Sequence, residues 1–172
     1  MPVYRIRDRE PVIGEGTWIA PTASIIGDVT IGKNCYIGFG AVIRGDLGSI
    51  VIGDGTAVED NVVIHTSNRA VIGNRVIIGH MAMIHNADIR DNALVGMKST
   101  VCDNTVIGEW SLIAEGSLVR KGQQVPDGWI YGGVPVIEIR ELEKRHRDYL
   151  ALGQEVYISL AAECHKSLER ID

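Results

Sequence analysis

The sequence has few aromatic residues and no long apolar segment. Aromatic side chains make up 5% of its 172 residues, with one phenylalanine, whereas hydrophobic residues reach 45%. Such a core has to be filled by aliphatic side chains, which favours a narrow interior lined by β-branched residues in strands. No apolar run approaches the roughly 20 residues that span a bilayer, so we expect no membrane partner. A net charge of −5 without a basic block excludes nucleic acid as an expected partner.

Cysteine is also scarce. Cys35, Cys102 and Cys164 are odd in number and far apart, which argues against a disulfide framework and favours a reducing compartment. The first residues, 1–5, do not resemble a secretory signal. We therefore predict a cytoplasmic protein, in which Cys35 and Cys102 serve as small buried core residues.

The chain is rich in one six-residue repeat, an aliphatic residue often followed by glycine. Its positions are Ile13, Ile19, Ile25, Ile31, Ile37 and Ile43, then Ile52, Val58, Ile64, Ile72, Ile78 and Ile84, and finally Ile89, Val95, Val101, Ile107, Ile113, Val119 and Val125. This period is typical of a parallel β-helix. We predict an all-β solenoid over residues 13–135, with roughly six coils of about 18 residues. An N-terminal arm, residues 1–12, is expected to cover one end.

The repeat stops before residue 136, and the composition of residues 136–172 becomes helical. The sequence predicts a C-terminal α-helical segment of two helices, 138–152 and 154–171, or one helix kinked at Gly153. An apolar stripe recurs every four residues in the second part, at Val156, Leu160, Cys164 and Leu168.

Three histidines lie within 21 residues of the repeat: His65, His80 and His85. His65 and His85 each follow the aliphatic position directly and are about one coil apart, so we expect them to stack on one edge. His80 is an odd number of residues from His85 and is expected to face away, within reach only across a subunit interface. Three imidazoles plus water form a catalytic Zn²⁺ site, and Fe²⁺ or Co²⁺ would also suit them. The alternative is three separate polar residues on a solenoid face.

Charged residues interrupt the repeat in two places, at Arg44-Gly45-Asp46 and at Glu59-Asp60. Such charges on a solenoid wall can be solvated or can tie coils together. Alternatively, they form an interfacial cluster in which Arg44 pairs with Asp46 or Asp60 across subunits and faces an anionic product. The guanidinium fork matches the geometry of a carboxylate or of bicarbonate.

Taken together, these motifs resemble the gamma-class carbonic anhydrase family over about residues 10–140. The resemblance rests on the repeat, Arg44-Gly45-Asp46, Glu59-Asp60, Ile64-His65, Gly79-His80, Ile84-His85, Leu94-Val95-Gly96-Met97 and Tyr131-Gly132-Gly133-Val134-Pro135. The C-terminal stretch is also similar to the phenylacetate-pathway hexapeptide thioesterase and the carnitine-operon hexapeptide protein.

The resemblance implies a left-handed parallel β-helix and a homotrimer with three interfacial metal sites. It implies that His65 and His85 come from one subunit and His80 from its neighbour. It also implies that Arg44, Asp46 and Asp60 form ion pairs at the interface. Tyr131 falls where the family has a tyrosine near the site, which implies a catalytic role for it.

The chain departs from the family pattern at several positions. Glu59 stands where the family commonly has a glutamine that hydrogen-bonds the metal-bound water, and Ala57 stands where many members have asparagine. An ionised Glu59 would raise the pKa of that water compared with a neutral amide. The acidic loop between the first two histidines is absent, and Asn86 replaces the usual glycine after His85.

The function that the resemblance implies is that of a zinc-dependent lyase, the reversible hydration of CO2 to bicarbonate by metal-bound hydroxide. Arg44 would hold the product, and Glu59 would orient the water or take its proton. The alternatives are a metal-dependent acyl-CoA thioesterase, for which the C-terminal helices would build a wall, and a catalytically weak trimeric scaffold. Three clustered histidines argue against a metal-free acyltransferase.

Overall fold

A computed structural model describes residues 2–172 as a parallel β-solenoid followed by one helix. The helix, α1, is Lys144–Ser167. In chain order the strands are β1 (Val3–Tyr4), β2 (Val12–Ile13), β3 (Trp18–Ile19), β4 (Ser24–Ile31), β5 (Tyr36–Ile37), β6 (Val42–Ile52), β7 (Ala57–Val58), β8 (Val63–His65), β9 (Arg69–Ile72), β10 (Ile77–Ile78), β11 (Met83–His85), β12 (Asp88–Ile89), β13 (Leu94–Val95), β14 (Thr100–Val101), β15 (Val106–Ile107), β16 (Leu112–Ile113), β17 (Leu118–Val119), β18 (Gln124–Val125), β19 (Trp129–Gly132) and β20 (Ile137–Glu141).

The strands stack into three faces, which confirms the predicted solenoid. The first face runs through β6, β8, β11, β14 and β17, and the second through β6, β9, β12, β15 and β18. The long strands β4 and β6 bend around the corner and belong to both faces. The third face contains β3, β5, β7, β10, β13, β16 and β19, so the solenoid has seven coils. The expected count of roughly six was one too low, because Trp129–Gly132 adds a last coil where the repeat ends.

The aliphatic positions of the repeat fill the interior in columns. On the first face, for example, Ile43, Ile64 and Ile84 pair in register, each with the equivalent residue of the next coil. All three are fully buried. Burying a side chain of this size contributes about 1.5–3 kcal/mol relative to exposure, so these columns are the main source of stability. Cys35 is fully buried as predicted, whereas Cys102 is half-buried.

Asp and Asn side chains at the corners tie each coil to the one before it. The Asp54 carboxylate accepts the backbone N–H of Lys33 at 2.7 Å, and the Asn74 side-chain oxygen accepts the backbone N–H of Asp54 at 2.9 Å. The same bond recurs at Asp60, Asn86, Asp91 and Asp127. These bonds satisfy backbone donors that the sharp turns leave without a strand partner.

The N-terminal arm covers the first coil, as expected from its position. Both β1 and β2 pair with β4 on the side away from β6. The open edge of the solenoid is thereby closed by short strands from the same chain.

The C-terminal segment differs from the prediction in two respects. Residues 137–141 form strand β20, antiparallel to β19, and not the first turns of a helix. One helix, Lys144–Ser167, then continues through Gly153, which decides against the alternative of two helices. Gly153 lies against the third face, where an added Cβ would lie 3.4 Å from Ile77 Cδ1. Gly153 therefore packs against the solenoid within the helix and does not mark a helix end.

Helix α1 packs along the third face and contacts β3, β5 and β7. Its 24 residues span about 36 Å, enough to run along all seven coils. Its buried residues are Leu150, Gln154 and Ala161, and Gln154 donates to the carbonyl of Arg75 at 2.6 Å. Of the predicted apolar stripe, Leu160 and Cys164 pack against the core, whereas Val156 and Leu168 are 54% and 49% exposed. Within residues 2–172 no helix is long and apolar enough to cross a bilayer.

Candidate functional site

His65 and His85 stack in adjacent coils on one edge of the first face, as their spacing predicts. They pair in register at the ends of β8 and β11, and their ring centroids are 5.3 Å apart. On its other side His65 pairs in register with Arg44 of β6. Each of the three follows a buried isoleucine, so the regular repeat delivers a column of polar side chains to a single edge.

Asp46 links this column through two hydrogen bonds. Its carboxylate accepts Arg44 Nη1 at 2.5 Å and lies 3.0 Å from His65 Nε2. Although desolvation opposes its charged form, the hydrogen bonds from His65 and Arg44 hold the pKa of Asp46 below its usual value. Arg44 thus pairs with Asp46 within one chain, whereas the sequence analysis expected this pairing across subunits.

His85 has a carboxylate partner of its own, which the sequence analysis missed. Its Nδ1 is hydrogen-bonded to Asp103 Oδ1 from the next coil. This hydrogen bond is the main reason that the pKa of Asp103 lies below its usual value. With Nδ1 engaged, Nε2 of His85 remains as the ring atom that can bind a metal.

His80 lies at the opposite end of β11 from His85, at the corner between the third and first faces. Its Nδ1 accepts the backbone N–H of Asp60 at 3.2 Å, and its Nε2 is 3.0 Å from Glu59 Oε2. A turn at Met81, with φ of +61°, and the strand β11 separate His80 from His85. Within residues 2–172, no three His, Cys, Asp or Glu side chains converge on a point that could hold a metal.

Glu59 is buried beside His80. Its backbone stands in a column of small residues that includes Gly38 and Gly79, and its side chain also accepts the backbone N–H of His80 at 2.9 Å. Tyr157 of α1 lies on the same side. Burial is the main cause that raises the pKa of its hydroxyl, and a hydrogen bond to Glu59 raises this pKa further. Tyr157 was missed because nothing in the repeat indicates which helix residue returns to this coil.

The structure does not bring Tyr131 to Glu59 or His80 within one chain. Tyr131 pairs in register with Ile113, and Ile113 pairs with Val95, so Tyr131 lies two coils beyond Val95. It packs against the end of the core. It continues the six-residue spacing from Val125, and its hydroxyl lies 3.5 Å from Glu138 of β20. Here it closes the last coil.

A cavity of about 390 Å³ lies between α1 and the third face. Its walls are largely apolar, and Glu59 and His80 line it together with Glu115 and His146. The apolar lining includes Ile77, Leu94, Leu112, Leu150 and Tyr157. The cavity thus combines apolar walls with a few polar groups, a common composition of small-molecule sites.

Comparison with known proteins identifies the family. A sequence profile described as Bacterial transferase hexapeptide (six repeats) matches residues 10–45. A hexapeptide transferase family protein from Anaplasma phagocytophilum is 39% identical, with a TM-score of 0.91 over 94% of this chain and 97% of that one. A candidate acetyltransferase from Bacillus cereus is 32% identical, with a TM-score of 0.92 over 94% and 95% of the two chains. The chain belongs to the hexapeptide-repeat family.

Within this family the chain also has a gamma carbonic anhydrase relative. This chain is 36% identical to the mitochondrial gamma carbonic anhydrase 2 of Arabidopsis thaliana, and the alignment covers 99% of this chain. The chain spans 66% of that relative's length. Hexapeptide-repeat relatives therefore include proteins named for two different activities. Cytoplasmic localisation of this chain stays a prediction, since that relative is a mitochondrial one.

Proposed function

We propose that the protein is a metal-dependent, gamma-carbonic-anhydrase-like enzyme that hydrates CO2 reversibly to bicarbonate at sites shared between subunits. The observation that carries the proposal is the placement of the three histidines. His65 and His85 stack at one end of the first face, and His80 stands at the other end beside buried Glu59. A site in which all three histidines take part therefore requires a second copy of the chain.

The donor set fits a metal such as Zn²⁺, or Fe²⁺ or Co²⁺. Metal-binding histidines are usually backed by carboxylates. Asp103 backs His85 in this way through Nδ1, whereas Asp46 and Glu59 lie at Nε2 of His65 and of His80. A divalent metal held by three imidazoles acts as a Lewis acid that makes water nucleophilic near neutral pH.

The surface between the two histidine positions supports a symmetric assembly. Val63 and Met83 pair in register on the first face, and both point outward, 39% and 38% exposed. Rotation about an axis parallel to the solenoid would cover this apolar strip and bring His65 and His85 of one subunit to His80 of the partner subunit. Three copies, with three equivalent sites, agree with the homotrimer that the family resemblance implies.

Two further side chains would act on substrate and proton. Arg44 is adjacent to His65 and 40% exposed, and its guanidinium can hold an anionic product while Asp46 fixes its position. Glu59 Oε2 lies against His80 Nε2, where it can accept a proton released when the site is loaded or when water is activated. Asp60 holds the corner by accepting the backbone N–H of Phe39 at 2.8 Å.

The test is metal content per chain, followed by CO2 hydration on the same sample in a stopped-flow pH-indicator assay. We expect about one metal per chain and a rate above that of the chelated protein. His80→Ala should remove both, whereas His165→Ala, at an exposed position of α1, should change neither. Unchanged metal content in His80→Ala would refute the assignment. Bound metal without turnover would favour the weakly active scaffold.

The cavity beside Glu59 supports a second candidate, the hydrolysis of an acyl thioester at the same site. An acyl chain would lie against Leu94 and Leu112, and its carbonyl would reach Glu59 and His80. Free-thiol release from acyl-CoAs of increasing chain length tests this activity. Leu94→Trp, which fills the cavity, should suppress hydrolysis of longer chains more than CO2 hydration. Absence of thiol release from every acyl-CoA would reject this candidate.

A further inference from the structure

Asp103 departs from the bonding pattern of the other corner Asx residues. Asp54, Asn74 and Asp91 accept the backbone N–H of the residue in register with them in the preceding coil. The equivalent donor for Asp103 is the backbone N–H of Asn86, but this group is bonded to the carbonyl of His65 at 3.3 Å. The Asp103 carboxylate is therefore not used to tie the turn.

The two side chains that donate to Asp103 are His85 and Asn86. His85 Nδ1 bonds Oδ1, and Asn86 Nδ2 donates to the same oxygen at 3.3 Å. A carboxylate accepts hydrogen bonds but does not donate them, so His85 carries its proton on Nδ1 in this pair. In that tautomer the lone pair is on Nε2, the ring atom that can bind a metal.

Asn86 is itself held from two sides. Its side-chain oxygen accepts Thr66 Oγ1 at 2.6 Å and the backbone N–H of Ser67 at 2.8 Å, and Thr66 is fully buried. Its backbone has φ of +46°, a left-handed conformation that asparagine tolerates better than most residues. The turn thus fixes the amide group that points toward Asp103.

We propose that Asp103 is a positioning residue that fixes the orientation and tautomer of His85 for metal binding, and that Asn86 holds Asp103 in place. The inference rests on the proposed metal site. It assigns Asp103 a role in the site through His85, without contact between Asp103 and the metal. Removing such a carboxylate partner typically weakens metal binding by about 10- to 100-fold.

The first experiment reads the tautomer in the metal-free protein. Long-range ¹H–¹⁵N NMR at a pH where imidazoles are neutral should show His85 protonated on Nδ1. Asp103→Asn keeps the shape of the side chain but removes its charge, and it should increase the Nε2-protonated form. Asp91→Asn is the matched control, because Asp91 ties a turn and contacts no histidine. An unchanged His85 tautomer in Asp103→Asn would overturn the proposal.

The second experiment measures Zn²⁺ affinity by competition with a chromophoric chelator. We expect a loss of about 10- to 100-fold in Asp103→Asn, none in Asp91→Asn, and a smaller loss in Asn86→Gly. Glycine tolerates the positive φ, so Asn86→Gly decides the matter if Asp103→Asn does not fold. Wild-type affinity in the Asp103 and Asn86 variants would refute the positioning role alone. A wild-type protein that binds no Zn²⁺ would refute the proposed function and this role with it.

Discussion

His65 lies directly beside His85 in the next coil, with ring centroids 5.3 Å apart and ring planes inclined by 43°. Both imidazoles project from the same edge because both residues follow an inward isoleucine of the repeat. His80 lies in the turn three residues before the strand that His85 ends, and it therefore stands on the other side of the same face. Because His80 lies apart from His65 and His85 within one chain, the proposed metal site can form only when subunits assemble.

A shared site predicts complementation between two inactive variants. His80→Ala and His65→Ala should each lose metal as pure proteins. When the two are unfolded together and reassembled, a mixed trimer contains an interface with intact His65 and His85 from one subunit and intact His80 from the other. We expect about one metal per mixed trimer and a partial return of CO2 hydration. Metal content that stays at the level of the separate variants would contradict a shared site.

Charge on the first face should prevent assembly. Val63→Glu places a carboxylate in the apolar strip between the two histidine positions, and burial of an unpaired charge is strongly unfavourable. We expect analytical ultracentrifugation to detect monomers, and metal content to fall with them.

Val51→Glu is the control for this prediction. Val51 lies on the second face and, like Val63, is 39% exposed. It should leave both assembly and metal content unchanged. If Val51→Glu dissociates the protein and Val63→Glu does not, the second face is the interface and the proposed arrangement of the histidines is wrong.

The solenoid could be predicted from the sequence because a fixed period assigns each residue to a coil. Ile64 and Ile84 continue the same spacing, and the structure pairs them in register in the core. The histidines that follow them inherit this order, so their stacking was predictable as well. Even the slips in the repeat did not disturb the register, because buried aliphatic residues specify it strongly.

The parts that could not be predicted depend on contacts outside the repeat. Strand β20 forms because β19 presents an open edge to it, whereas the local composition favoured a helix. Tyr131 was assigned by family position; within one chain it packs against the end of the core, and its role at a shared site stays a prediction. Asp103 was missed because sequence alone does not reveal which corner carboxylate gives up its backbone bond to reach a histidine.

The interior columns predict a large stability difference between two isoleucine substitutions. Ile84 is fully buried, and Ile84→Ala should lower the free energy of unfolding by about 2–5 kcal/mol through lost burial and a cavity. Ile137 is 68% exposed, and Ile137→Ala should change it by no more than about 0.5 kcal/mol. Urea unfolding at one fixed protein concentration measures both, since assembly makes stability depend on concentration. Similar losses for the two variants would contradict the assignment of the core.

Tyr36 should make the protein less stable at alkaline pH. Burial, assisted by the negative charge of Asp60, raises its pKa to about 12. Its ring packs against Trp18 and Tyr157, with centroid separations of 5.0 and 5.3 Å. In the unfolded chain a tyrosine ionises near pH 10, so between about pH 10 and 12 the folded state binds the additional proton. The stabilisation of the folded state that arises from the raised pKa of Tyr36 is thus fully present below pH 10 and is lost as the pH rises toward 12.

The measurement is the free energy of unfolding in urea from pH 9 to pH 11.5. We expect a decline with pH that is shallower in Tyr36→Phe, which keeps the packed ring but removes the hydroxyl. Tyr157 contributes in the same direction, because burial and Glu59 raise its pKa too, so part of the slope should remain in that variant. Tyr4→Phe, at a half-exposed position in the N-terminal arm, serves as the control and should keep the wild-type slope. Equal slopes for Tyr36→Phe and the wild type would show that the Tyr36 hydroxyl ionises alike in the folded and unfolded states.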